Sequence, residues 1–369
     1  MTAKRNGNIE ILRFIFCLFI VFFHFQRYIK NGYVETGYLG VDFFFMLSGI
    51  FLGKKLKKDK EQHKKESINE TLITSNKYFF SRIFSIYPFY FAATVFFFII
   101  KILFEQFSFI SGLFYCISDF LFLQIFGFPS ISYTGTLWFL AALFFSVYVL
   151  YPIIRRYYDI YVKYLSLPII LLNIGYIFRT CGSMNTPPFF DNYLLNLGIL
   201  RAIAMITIGI LLEELSDRIK ATQIRKPGIF ILTIAEFLSY TFVFLYMIFI
   251  SKNSFSGNFD FIAVGFIGLG LLLTISERSY FYNKFNNHFS LFLGKSSMIL
   301  FMTHYYWVHN ISFVQKILFE KISIEITSNV YLIVLGFLLS FLSGIFVYFA
   351  GIAIKKGFLV FKNLMIATD

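Results

Sequence analysis

Few side chains in this sequence can do chemistry, and most of them lie inside long apolar runs. Arg13 and His24 stand eleven residues apart in the first run. At 100° per residue that is three turns plus about 20°, so a helix sets them on one face, roughly 16 Å apart along its axis. Cys17, Ile20 and Val21 fall between them. An ionisable group in hydrocarbon costs at least ~2.5 kcal/mol, which makes such a pair a functional candidate. The plainer alternative has Arg13 and His24 each snorkelling to its own headgroup layer. Asp42 opens a second run, within Gly40-Val41-Asp42-Phe43-Phe44-Phe45-Met46-Leu47-Ser48-Gly49. Trp138 opens another, in Leu137-Trp138-Phe139-Leu140, and His304 lies deep in a late one. Trp138 would also suit an interfacial aromatic belt, and His304 an interhelical hydrogen bond. His309 points about 140° away from His304 and reads as interfacial. Arg201 and Glu236 are intramembrane too, Glu236 foremost as a member of a structural ion pair. His63, in a polar stretch, reads as solvated.

This distribution suits transfer of a group from a donor on one side to an acceptor on the other. Arg13, Arg82 and the Lys-rich stretch 54–81 would hold an anionic donor such as a coenzyme A thioester, whose phosphates guanidinium and ammonium groups bind well. A histidine further along could take a proton from an acceptor hydroxyl or carry an acyl group briefly. Three cysteines, Cys17, Cys116 and Cys181, form neither a disulfide framework nor a CxxC pair, and no metal set is evident.

The elements that must position these residues are membrane helices. The chain is 58% hydrophobic with a mean hydropathy of +0.71 and is 14% charged, against about 25% for a soluble domain. Apolar runs near 9–27, 38–53, 83–104, 134–154, 165–180, 194–213, 228–250, 258–275, 290–311 and 328–354 predict about ten transmembrane helices in a single domain over 1–369, an all-α polytopic bundle. The Lys4-Arg5 start mimics a secretory signal, but Arg13 and His24 interrupt the run and no small-residue cleavage site follows, so it reads as an uncleaved first helix. The run at 109–126 carries Asp119 and Gln124 and is followed by Gly127 and Pro129. If it does not cross and the N-terminus is cytoplasmic, 23 of the 33 Lys and Arg fall on the cytoplasmic side and seven outside; if it crosses, the balance is 15 to 15. The positive-inside rule therefore predicts ten spans, both termini cytoplasmic, and 109–126 as a re-entrant or interfacial piece. The net charge of +13 sits in short clusters between apolar runs, as topology signals do, which argues against nucleic acid. The basic stretch 54–81 reads as a cytoplasmic loop in contact with anionic lipid.

Several motifs now align with one family. Leu12-Arg13 through His24, Gly40-Val41-Asp42-Phe43-Phe44 with Ser48-Gly49, and Arg82-Ile83-Phe84-Ser85-Ile86-Tyr87-Pro88 resemble the first-helix, Gly-Val-Asp-x-Phe-Phe and Arg-x-x-Arg elements of the acyltransferase-3 family of membrane O-acyltransferases. Trp138-Phe139-Leu140 followed by Tyr148 and Pro152, and Gly294-Lys295-Ser296-Ser297 to His304, resemble two later elements. Ser85 stands where the family carries a second Arg, so Lys77 or the Lys-rich stretch would have to substitute. Leu143 stands where some members carry a Glu, as in a subgroup with a Trp-Phe-Leu-x-x-Leu helix.

The resemblance implies a multi-pass enzyme of the cell membrane that uses acyl-CoA, most simply acetyl-CoA, with no bound cofactor. Its acceptor would be a hydroxyl of an outward-facing polysaccharide or glycolipid. It implies His24, Asp42 and His304 as the catalytic set, Arg13, Arg82 and Lys77 at the donor, and Trp138, Ser48 and Arg201 at the acceptor. A secondary transporter for an anionic solute would carry similar intramembrane charges, but the paired Gly/Pro-broken helices of such proteins are not evident. A member that has lost catalysis and serves assembly is a third reading.

Overall fold

A computed structural model describes residues 6–25, 33–58, 60–104, 108–128, 138–186, 196–250, 259–323 and 328–367. The expected span ends at 26–27, 134–137, 194–195 and 258 lie outside the described residues. In chain order the helices are α1 (Gly7–His24), α2 (Gly40–Lys57), α3 (Lys60–His63), α4 (Ile68–Phe104), α5 (Phe109–Phe120), α6 (Trp138–Ile160), α7 (Ser166–Cys181), α8 (Leu197–Ala221), α9 (Lys226–Phe249), α10 (Asp260–Ile275), α11 (His288–Ile322) and α12 (Asn329–Ala367). The protein is an all-α, polytopic membrane helix bundle. Among the described residues, 5 helical stretches are each long and apolar enough to cross a bilayer: Gly7–His24, Ile68–Leu103, Trp138–Cys181, Lys226–Phe249 and Asn329–Phe358.

Local chemistry accounts for the helix ends. Asn6 accepts from the Asn8 amide at the start of α1 (3.0 Å), and Asn196 from the Ile199 amide at the start of α8 (2.9 Å). Ser67 and Glu70 form a reciprocal capping box, Glu70 N to Ser67 Oγ at 3.2 Å and Ser67 N to Glu70 Oε2 at 2.7 Å. That box starts α4 at Ile68, far ahead of its apolar half. The stretch 54–81 is therefore no open loop: the end of α2, α3 and the first turns of α4 occupy most of it. Tyr157 (φ −119°, ψ 39°) breaks helical geometry near the end of α6, and a π-helical turn over Tyr161–Leu165 leads into α7.

The chain forms two compact units, one of residues 1–77 and 142–297, the other of 78–141 and 298–369. The first is organised around α2 and α8. A Cβ on Gly49 would strike the Ile206 carbonyl, and one on Gly209 the Met46 carbonyl, so the two backbones meet with no side chain between them. Phe16 of α1 stacks on Phe43 of α2 at 4.1 Å between ring centroids.

In the second unit Phe97 of α4 stacks on Tyr306 of α11 (4.3 Å) and Phe89 on Tyr348 of α12 (5.7 Å). Trp307 Nε1 donates to Ser343 Oγ (2.9 Å), tying α11 to α12. The α5 helix rises only ~18 Å, short of the ~30 Å hydrocarbon core. Phe109, Ile110, Leu113, Phe114 and Ile117 are exposed on it while Ser118 and Asp119 are buried, the reverse of a water-facing helix. Tyr87 and Tyr90 of α4 hold it by donating to the carbonyls of Phe120 and Asp119.

Candidate active site

In the first unit, α1 presents both residues of the same-face pair. Arg13 Nη1 lies 2.9 Å from Glu10 Oε2, one turn earlier. Gly294 packs on that carboxylate; a Cβ there would collide with it, which gives the Gly294-Lys295 motif a steric reason. Cys17 Sγ donates to the Ser297 carbonyl at 3.2 Å, and Lys295 is exposed.

His24 closes the helix, half-buried, with Nδ1 2.8 Å from the Ile20 carbonyl. A carbonyl can only accept, so Nδ1 carries the proton in the neutral ring and Nε2 is the basic nitrogen. His304, in the second unit, repeats the arrangement: Nδ1 lies 2.9 Å from the Leu300 carbonyl, in a wholly buried ring.

At the start of α2 sits an ion pair that the sequence did not join. Arg201 Nε and Nη2 each donate to an Asp42 oxygen at 2.7 Å, and Nη2 also donates to the Tyr38 carbonyl at 2.9 Å. Both side chains are within 1% of full burial. The Asp42 carboxylate is thus engaged on both oxygens by Arg201. The Tyr38 hydroxyl donates to Asp260 Oδ2 (2.7 Å), which also accepts from the Met184 amide (2.9 Å), while Tyr246 donates to Oδ1 (3.0 Å). Ser48 Oγ is turned back to the Phe44 carbonyl of its own helix (2.8 Å). Glu236, expected in an ion pair, instead accepts from Thr274 Oγ1 at 2.6 Å.

A second polar layer joins the ends of several helices of the same unit. Lys57 reaches Glu214 and Asp217 (2.8 Å each); Lys60 and Lys64 reach Asp159 (2.9 and 2.7 Å). Arg155 grips Glu66 with two nitrogens, Nε at 2.8 Å, and Arg156 donates to the Glu66 carbonyl. The Arg155 hydrogen bond holds the Glu66 carboxyl below the usual range for a glutamate. Three lysines expected against lipid are thus paired with protein, and His63, expected in solvent, is buried.

Of the donor candidates, Lys77 and Arg82 are exposed on α4, the Arg82 guanidinium lying 5.1 Å from the Tyr78 ring centre. Ser85 Oγ donates to the Arg82 carbonyl (2.7 Å). Trp138 is the first residue of α6, half-buried. The structure joins Asp42 to Arg201. His24, Arg13 and Ser48 share their unit, while Arg82, Trp138 and His304 belong to the other. Sequence reasoning missed Glu10, Tyr38, Tyr246 and Asp260. The acidic residue three places before Arg13 was a readable signal for the first; the others have only fold-level partners.

Apolar helices threaded by buried charges define an integral membrane protein with a polar site inside it. A family model for the acyltransferase 3 domain matches residues 6–349, and the chain belongs to that family. It is a membrane acyltransferase. No curated protein and no solved structure matches it.

Proposed function

We infer that the protein is an O-acyltransferase that moves an acyl group, acetyl in the simplest case, from cytoplasmic acyl-CoA to a hydroxyl of an outward-facing polysaccharide or glycolipid. The single domain would span both units, with both termini cytoplasmic. The observation that carries this reading is the 2.8 Å approach of His24 Nδ1 to the Ile20 carbonyl. Its Nδ1–H is committed to the Ile20 carbonyl, so Nε2 is the nitrogen able to take a proton, on the face of α1 that also carries Arg13.

In the reaction the acceptor hydroxyl gives its proton to Nε2 as its oxygen attacks the thioester carbonyl. The C–S bond then breaks, and the departing thiolate takes the proton back from the imidazolium. Acyl transfer is complete and the base is restored. His304 offers the same tautomer and is the second candidate base. Arg13, Arg82 and Lys77 would meet the donor's phosphates, with Glu10 fixing the direction of Arg13. Trp138 and Ser48 are the acceptor-side candidates, and the Asp42–Arg201 pair would fix the start of α2.

Proteoliposomes loaded with acyl-labelled acetyl-CoA test the reading. Label appearing on an added glycan acceptor supports it, and His24→Ala and His24→Gln should both lose transfer at matched protein levels. Solute flux without loss of acyl groups from coenzyme A would make the protein a transporter.

A further inference from the structure

We propose that Asp260 is a positioning residue for the transfer reaction, fixing the His24-bearing end of α1 through the hydroxyl of Tyr38. This rests on the reading of His24 as the base. The chain of contacts is continuous and lies within one unit. Asp260, fully buried at the start of α10, takes three donors: Tyr38 and Tyr246 hydroxyls and the Met184 amide. Tyr38 belongs to a short 3-10 turn, Gly37–Leu39, whose carbonyl at Tyr38 is also held by Arg201. The turn is thus pinned at its side chain and at its backbone by two buried ionisable groups from α10 and α8.

What it is pinned against is α1. The Tyr38 ring meets Phe23 edge-on at 5.4 Å, and Phe23 meets the His24 ring edge-on at 5.1 Å. Gly37 sits so close to Phe19 and Phe23 that a Cβ would strike the Phe19 carbonyl. Buried charges in a membrane helix bundle are costly, and a generic helix–helix contact does not require them. A fully satisfied polar network, by contrast, specifies a single geometry. Here that geometry is the seat of the last turn of α1, and small displacements of a base from its reacting proton cost rate steeply.

The test uses Asp260→Asn and Tyr38→Phe in the full-length protein, read by steady-state kinetics and by amide hydrogen exchange. Asparagine keeps the shape but offers one acceptor oxygen for three donors; phenylalanine keeps the ring against Phe23 and removes only the hydroxyl. Both should lower kcat tenfold or more while KM for acyl-CoA stays within twofold, and both should speed exchange over residues 18–25 and 33–40. Wild-type kcat, or a lower kcat with wild-type exchange in those segments, overturns the proposal. His24→Gln is the control that separates the two readings. If it is active while Asp260→Asn still speeds exchange, the seat on α1 stands and His24 as base fails. If it is inactive while both Asp260 and Tyr38 variants behave as wild type, the base stands and the seat fails. Should Asp260→Asn not accumulate in membranes, Tyr38→Phe decides alone.

Discussion

At the scale of single residues, the strongest commitment in the structure is the Asp42–Arg201 pair. Removing one member of a buried pair leaves its partner's charge uncompensated, at a cost of about 3–5 kcal/mol, whereas removing both is far milder. Asp42→Ala should therefore lower the thermal midpoint sharply in detergent, and adding Arg201→Met should restore part of the loss. Additive effects would mean the two side chains do not depend on each other. This pairing was not legible in the sequence. Asp42 and Arg201 are each readable as membrane-buried charges, but 159 residues separate them and nothing local announces the partner. Asp260 was harder still, because an aspartate at the start of a helix is ordinary and a tyrosine at the end of an apolar run looks like an interfacial anchor. His24 and Arg13 were legible because helix geometry alone relates them.

At the scale of elements, two features make predictions. The α2–α8 seam has carbonyls where side chains would be, so Gly49→Ala and Gly209→Ala should each destabilise by about 1–3 kcal/mol, the usual cost of overpacking. Unfolding in mixed micelles would measure it, and a neutral result would mean that the helices can slide apart. The junction of α3 and α4 is held by Arg155 on Glu66. The Glu66 carboxyl is depressed in the folded state, so its stabilisation is complete above the unfolded carboxylate value near 4.3 and is lost as pH falls through the lower folded value. At pH 7 the wild type should exceed Glu66→Gln by about 1–2 kcal/mol, discounting the partial exposure of the pair. The gap should stay constant down to about pH 5 and close on further acidification; a gap that widens in acid would reverse the argument. The sequence had marked the apolar half of α4 but not its polar beginning, since hydropathy is blind to a helix made of Asn, Glu, Thr and Lys. The Ser67-x-x-Glu70 cap was the available signal.

At the scale of the whole molecule, the proposed orientation is open to labelling. Cys17 and Cys116 are buried, so Cys181 is the one native thiol that must first be replaced. Lys65→Cys and Thr222→Cys, both exposed, should then react with an impermeant reagent only after the cells are opened, and Tyr33→Cys should react in intact cells. Labelling of position 222 from outside would reverse the topology read from charge. The apolar runs and their class were plain in the sequence because bilayer thickness sets them; the paired lysines were not, because a cluster of positive charge looks the same whether lipid or protein answers it. Those lysines also have a history. Lys60 is made 99 residues before Asp159, and at ribosomal speeds on the order of 5–20 residues per second it waits roughly 5–20 s for its partner. During that interval its charge is bare and available to the headgroups that orient nascent helices. The same ammonium group would thus act first as a signal during insertion and later as a fastener in the finished protein.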